Sequence, residues 1–201
     1  MSCLLAGFEN TFDLKTIDDH THYSLLKHTA AAGTMTTIMF EELANKYPTI
    51  SFIHSYPGSV GTNILPQMLA STPGIFWYPA QVFRYTTLPL YRHLICMTPD
   101  EAGERQLFMA TSCKYPPAHD HESGGKVDGL VERPDGCPAA KPTVMTDGKG
   151  NGVYRVGSNG EVYKDSKVLD KYRKVGMGKT VYDHTIEVWE KALSTPEIDG
   201  N

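Results

Sequence analysis

Residues 23–62, YSLLKHTAAAGTMTTIMFEELANKYPTISFIHSYPGSVGT, decide the fold. The pattern predicts a long helix, a turn at Asn45-Lys46-Tyr47-Pro48, a β-strand over 50–55, and a tight break at Pro57-Gly58 leading into a further helix. Helix followed by strand is half of an α/β unit. From Ala30 to Ala44 the residues are small, apolar or neutral until Glu41 and Glu42, so this helix is expected to be largely buried, its Ala/Gly/Thr face close to a sheet or a twin helix. Ile50, Phe52 and Ile53 give the strand the β-branched and aromatic character of one covered on both faces.

Outward from this stretch, residues 1–6 can form a strand, and 7–21 a loop crossing the sheet edge toward the long helix. That loop and its sequel hold Asp13, Asp18, Asp19, His20 and His22, a dense group of titratable residues just before Tyr23. A solvated connector and a catalytic loop are both open readings. Tyr23 and Lys27 are four apart and share one helix face. Residues 63–97 carry Phe76, Trp77, Tyr78, Phe83, Tyr85 and Tyr91, with Pro66, Pro73, Pro79 and Pro89 expected to cut the segment into short helices. These aromatics are either core or the wall of a ligand cleft. Thr98-Pro99-Asp100-Glu101 is a helix start, with Thr98 as cap. Residues 114–151 turn polar and rich in Pro and Gly, which predicts a long loop excursion. His119-Asp120-His121-Glu122 within it are metal-type residues without further ligands at zinc spacing, so no metal is expected. A strand with a return follows around Gly157-Ser158-Asn159-Gly160, then two helices, 166–174 and 180–193, and a fraying end.

The chain has 201 residues and a formal charge of −4, which fits one domain with one sizeable core. It has no basic run of the kind that binds nucleic acid. No apolar run reaches membrane-spanning length and no secretory leader is recognisable, so a soluble cytoplasmic protein is expected. Cys3, Cys96, Cys113 and Cys137 lack metal or disulfide spacing and are expected to be reduced thiols. The Gly-rich stretches 148–152 and 176–178 do not stand between a buried strand and a long helix, so neither reads as a phosphate cradle.

The Tyr23-x-x-x-Lys27 pair, the helix ending EELA, the strand ending Pro57-Gly58-x-Val60-x-Thr62, the segment TPDEAGERQLFMATS and the closing GVYRVGSNGEV together resemble the C-terminal half of a short-chain dehydrogenase/reductase, in particular fungal oxidoreductase-like members from secondary metabolism. The resemblance implies a truncated Rossmann-like α/β fold of three layers in a single domain, 1–201: a small parallel sheet, a long central helix and a helical lid over 63–97. The opening residues resemble the family's fifth strand, so the N-terminal Gly-rich half that binds NAD(P) is expected to be absent and no cofactor is expected. In such a family the ammonium of the lysine lowers the phenol's pKa for proton transfer, which would give Tyr23 and Lys27, with His20 or His22, an acid–base role. The family's serine falls on Leu4, and aligning by the helix end would shift the pair to Leu25 and Thr29. His54, Tyr56, Pro57, Gly58, Val60 and Thr62 would line the substrate side, with Phe76, Trp77 and Tyr78 from the lid; for His54 a buried structural role is equally open. The first strand would leave an apolar edge and the long helix resembles a dimer helix, so a homodimer or homo-oligomer is expected. The expected activity is a cofactor-independent isomerisation, cyclisation, dehydration or rearrangement of a small molecule. A nicotinamide-dependent half working with a partner chain and a non-catalytic binding remnant are the alternatives.

Overall fold

The computed structural model describes residues 1–3, 5–14, 25–118, 131–133, 136–146, 149–164 and 166–194. They gather into two compact units, one of residues 1–56 with 112–201 and one of 57–111. The first is α/β, with a small parallel sheet among helices. Its strands β1 (Ser2–Cys3), β2 (Phe52–Ser55) and β5 (Val153–Val156) lie in the order β1-β2-β5. Ser2 pairs with His54 and Cys3 with Ser55; on the other side Phe52 pairs with Val153 and His54 with Arg155, all parallel. Every residue of β5 is buried, as a strand sandwiched between layers requires.

Helix α1 (Leu25–Lys46) joins β1 to β2. Ala31, Thr34 and Ile38 are buried along it at the three- to four-residue recurrence of one helix face, and Thr37 and Ala44 are buried on the neighbouring face. Thr34 is polar yet wholly buried because its Oγ1 takes the Asn10 amide at 2.9 Å and stands 2.8 Å from the Asn10 carbonyl, tying the loop after β1 to the helix. The expected twin helix comes from the same chain. Helices α5 (Lys167–Lys174) and α6 (Met177–Ser194) pack on α1, burying Ile38, Leu169, Tyr172 and Val181 as a cluster with Phe12, Met35 and Met39 at its margin. A Cβ on Gly178 would stand 3.0 Å from Glu42 Oε2, so the small residue lets α6 come close. Arg173 clamps Glu41 with two bonds, 2.6 and 3.0 Å, and so locks α5 to α1.

The polar stretch 114–151, expected as a loop, contains a short antiparallel ribbon, β3 (Met145–Thr146) with β4 (Lys149–Gly150). Two-residue strands are too brief to leave a periodic signal in sequence. After β5 the chain turns at 157–160 and comes back alongside it, with Val162 bridged to Val156 and the Tyr163 amide donating to the Arg155 carbonyl.

In the second unit, α2 (Ile64–Ala70) and a 3-10 turn (Gly74–Phe76) precede α3 (Trp77–Leu94) and α4 (Pro99–Thr111). The expectation that Pro79 and Pro89 break this region is wrong, because α3 runs through both. Pro79 sits in the first turn, where a backbone N–H has no helical partner anyway; Pro89 forfeits one internal bond and the helix continues. The Thr98 cap is present: its Oγ1 accepts the Glu101 amide at 3.1 Å. The Glu101 carboxylate binds Arg105 at 2.6 Å.

Arg155 stands in the middle of the buried strand β5, paired with Glu9 at 2.8 Å, both side chains 3% exposed. Its Nη2 also donates to the Lys164 carbonyl. Glu9→Ala leaves a buried guanidinium without its counter-charge, and urea unfolding is expected to show a loss of about 3–5 kcal/mol, against no measurable change for breaking the exposed pair with Lys179→Ala.

Beneath the sheet the Tyr154 hydroxyl donates to the Pro116 carbonyl and that of Tyr115 to the Gly160 carbonyl, at 2.6 and 2.7 Å. Burial pushes Tyr154 well above the ordinary phenol range and, with Glu161 adding, pushes Tyr115 up to about 12. A phenol that holds its proton better folded than unfolded stabilises the fold fully below the unfolded value, and that share is lost as pH rises through the folded one. Stability should therefore fall between pH 10 and about 12, and denaturant unfolding across that window should show a shallower fall for Tyr115→Phe.

Candidate functional site

The carboxyl ends of parallel strands border the ligand crevice in open α/β sheets, so the first unit's candidate site is where β1, β2 and β5 stop. After β1 the chain makes a turn closed by the Phe8 amide on the Leu5 carbonyl at 3.1 Å, with Leu5 at φ 29° and Gly7 at φ 86°. The Gly7 amide then donates to Glu9 Oε1 at 3.0 Å, aiming the other oxygen at Arg155. After β2, the Tyr56 amide binds the Val156 carbonyl at 2.8 Å and the Tyr56 ring meets Phe8 edge-on, centroids 4.9 Å apart. Tyr163 swings back from the β5 hairpin onto Gly7, and burial holds its phenol above the ordinary range, with Tyr56 and Glu9 pushing the same way. The strand ends thus carry two phenols, Tyr56 and Tyr163, that can donate or accept a proton, over a closed carboxylate–guanidinium pair.

His54 does not face this end. Its side chain is fully buried, Nδ1 lies 2.7 Å from Thr37 Oγ1 on α1, and Phe40 packs against the ring. A substrate-wall position for His54 is replaced by a core position. Sequence alternation could not decide this, because β2 is covered on both faces and its two sides look alike. Tyr56 does stand at the strand end. Lys27 is exposed on the first turn of α1; Tyr23, His20 and His22 lie outside the described residues, as do His119, Asp120, His121 and Glu122.

In the second unit the break after Gly58 (φ 78°) is stitched in place: Val60 bridges Met97, the Gly61 amide donates to the Met97 carbonyl at 3.0 Å, Tyr91 donates to Ser59 Oγ at 2.9 Å and Arg92 to the Gly61 carbonyl at 2.6 Å. Ser59, Val60 and Gly61 are therefore held by the end of α3 and by Met97 beyond it, with Pro57, Gly58 and Thr62 adjoining them in the chain. Phe76, Trp77 and Tyr78 are 71%, 45% and 70% exposed, so aromatics at helical spacing are surface here rather than core. A cleft of about 500 Å³ opens beside α3, lined in part by Arg84, Tyr85, Arg92 and His93. Sequence reading missed this cleft, Glu9, Arg155 and Tyr163. A lone arginine in the apolar run GVYRVG signalled a buried pair, but nothing in the sequence named its partner. Among the described residues no group of three His, Cys, Asp or Glu side chains is placed to hold a metal ion, and no helix is long and apolar enough to cross a membrane.

The chain is 31% identical over 190 residues to oxidoreductase AN1596 of Emericella nidulans, which covers 93% of this chain and 52% of that protein. It is 27% identical over 201 residues to oxidoreductase andH of Emericella variicolor, 98% of this chain and 54% of the relative. A short-chain dehydrogenase/reductase, SAT2 of Stachybotrys chartarum, aligns at 28% over 155 residues, 76% of this chain and 38% of the relative. The chain spans about half the length of the curated relatives it matches. No family model matches it. No solved structure matches it either. It is thus a homologue of part of a set of fungal oxidoreductases, with an α/β sheet of the Rossmann kind suggested by the short-chain dehydrogenase among them.

A Cβ on Gly7 would fall 2.6 Å from the Tyr163 ring at a φ that side chains rarely adopt. Gly7→Ala is expected to destabilise by about 2 kcal/mol. In a double-mutant cycle Tyr163→Ala should relieve the steric share of that cost, giving a coupling of about 1 kcal/mol by urea titration.

Proposed function

We propose that this chain is the substrate-side half of a short-chain-dehydrogenase-like fold that acts on a small-molecule intermediate of fungal secondary metabolism. The observation that carries the reading is the three-stranded parallel order β1-β2-β5, with the helical unit inserted between β2 and β5, in a chain whose relatives are named oxidoreductases.

The residues present do not fit a nicotinamide dinucleotide by themselves. A pyrophosphate needs a glycine turn leading from a strand straight into a helix N-terminus. Here Gly7 after β1 is filled by the Tyr163 ring, and β5 ends in a hairpin. After β2 only the seven-residue α2 follows the Pro57-Gly58 break. The chemistry we propose for it is proton transfer: isomerisation, cyclisation, dehydration or rearrangement, with Tyr23, assisted by Lys27, His20 or His22, giving and taking the proton at a substrate oxygen. Tyr56, Pro57, Gly58, Val60, Thr62, Phe76, Trp77 and Tyr78 are the proposed binding residues, and the proposed working form is a homodimer.

A second reading is favoured by relatives about twice as long as this chain: the dinucleotide-binding half is supplied by another polypeptide and the reaction is a redox one. Deleting the gene in its producer identifies the accumulating intermediate, which is then offered to the purified chain. Turnover at equal rates with and without NADPH, lowered about 100-fold or more by Tyr23→Phe, is the expected result. Turnover that depends wholly on NADPH, with measurable calorimetric binding of it, would replace the first reading by the second.

A further inference from the structure

The cleft beside α3 is charged in one sense. Arg84 and Arg92, eight residues apart on α3, line the same wall, and His93 joins them; Pro66, Tyr85 and Pro89 supply the apolar lining. The carboxylates of this unit, Asp100, Glu101 and Glu104, all sit on α4, and none lines the cleft. Both guanidiniums are held in place with donors to spare. Arg92 commits Nη2 to the Gly61 carbonyl at 2.6 Å. Arg84 commits Nη1 to Gln81 Oε1 at 3.2 Å and lies 5.2 Å over the Tyr85 ring. A guanidinium carries several N–H donors in a planar fork, so each retains an unused edge among the described residues.

Two planar cations above an apolar floor, in a volume of about 500 Å³, match a drug-sized ligand with one anionic end. We propose that this cleft binds a small organic acid, its carboxylate held by Arg84 and Arg92 and its hydrocarbon or aromatic body laid on Tyr85 and the two prolines. The carboxylate is the group whose two oxygens meet the guanidinium fork in parallel bonds. A carboxylate gains charge-assisted bonds from the guanidiniums that a neutral isostere does not. Calling this acid the substrate rests on the function proposed above; its binding does not.

Calorimetric titration of the full chain with a series of aryl carboxylates, from benzoate to 4-phenylbutyrate, each beside its neutral amide, tests the proposal without turnover. The best acid is expected to bind at least about ten-fold more tightly than its amide. Arg84→Gln should remove about that factor for the acid and leave the amide unchanged. Arg92→Gln should do the same, but it also releases Gly61, so circular dichroism accompanies it and Arg84→Gln, whose side chain bonds Gln81 alone among the described residues, decides the outcome if Arg92→Gln unfolds. Equal affinity for acid and amide, no binding of any acid, or an Arg84→Gln variant that binds the acid as before would each overturn the proposal. Failed turnover of the pathway intermediate with acid binding intact would sink the functional reading and leave this site standing.

Discussion

A single buried charge organises the first unit. Arg155 interrupts a strand whose every residue is buried, and an unpaired guanidinium there would cost several kcal/mol. Its counter-charge, Glu9, follows β1, and β2 lies between β1 and β5. The loop after β1 must therefore cross β2 to deliver the carboxylate. That crossing brings Phe8 onto Tyr56, Asn10 onto Thr34 and Phe12 onto Tyr172, where the rings stack at 4.7 Å and the phenol bonds both the Phe12 amide and carbonyl. The ion pair thereby fixes the aromatic rim at the strand ends, which is where chemistry in a sheet of this kind takes place.

Helix α1 is the scaffold against which this loop is laid. Its residues receive the chain after β1 on one side and α6 on the other. The second unit is built differently. It buries few large apolar side chains, among them Leu88 and Met109, and exposes Ile75, Phe76, Tyr78, Tyr85, Leu94 and Leu107.

Much of the backbone was legible because local signals and tertiary demands agree. The run from Ala30 to Ala44 is helical and buried, residues 52–55 form a strand, and Thr98 caps α4 through its hydroxyl. The prolines of α3 misled because a missing N–H harms a helix only where a partner carbonyl waits for it, and Pro79 stands where none does. Residues 145–150 misled because two-residue strands have no periodicity to read. The candidate site was less legible. His54 was open to both a substrate-wall and a buried structural role until its burial and its bond to Thr37 placed it in the core. The cationic cleft needed α3 to be one helix, since only an unbroken helix puts Arg84 and Arg92 on the same face.

By itself the sequence determined the alternation of helix and strand and the burial along the long helix, because propensity and periodicity act over a few neighbouring residues. Tertiary structure alone decided that Glu9 answers Arg155, that α6 packs on α1, and that two arginines share a cleft without a carboxylate in its lining. Those outcomes depend on which distant segments meet, and the energy of a buried charge or an open apolar face is set by the partner that arrives, not by the residues beside it in the chain.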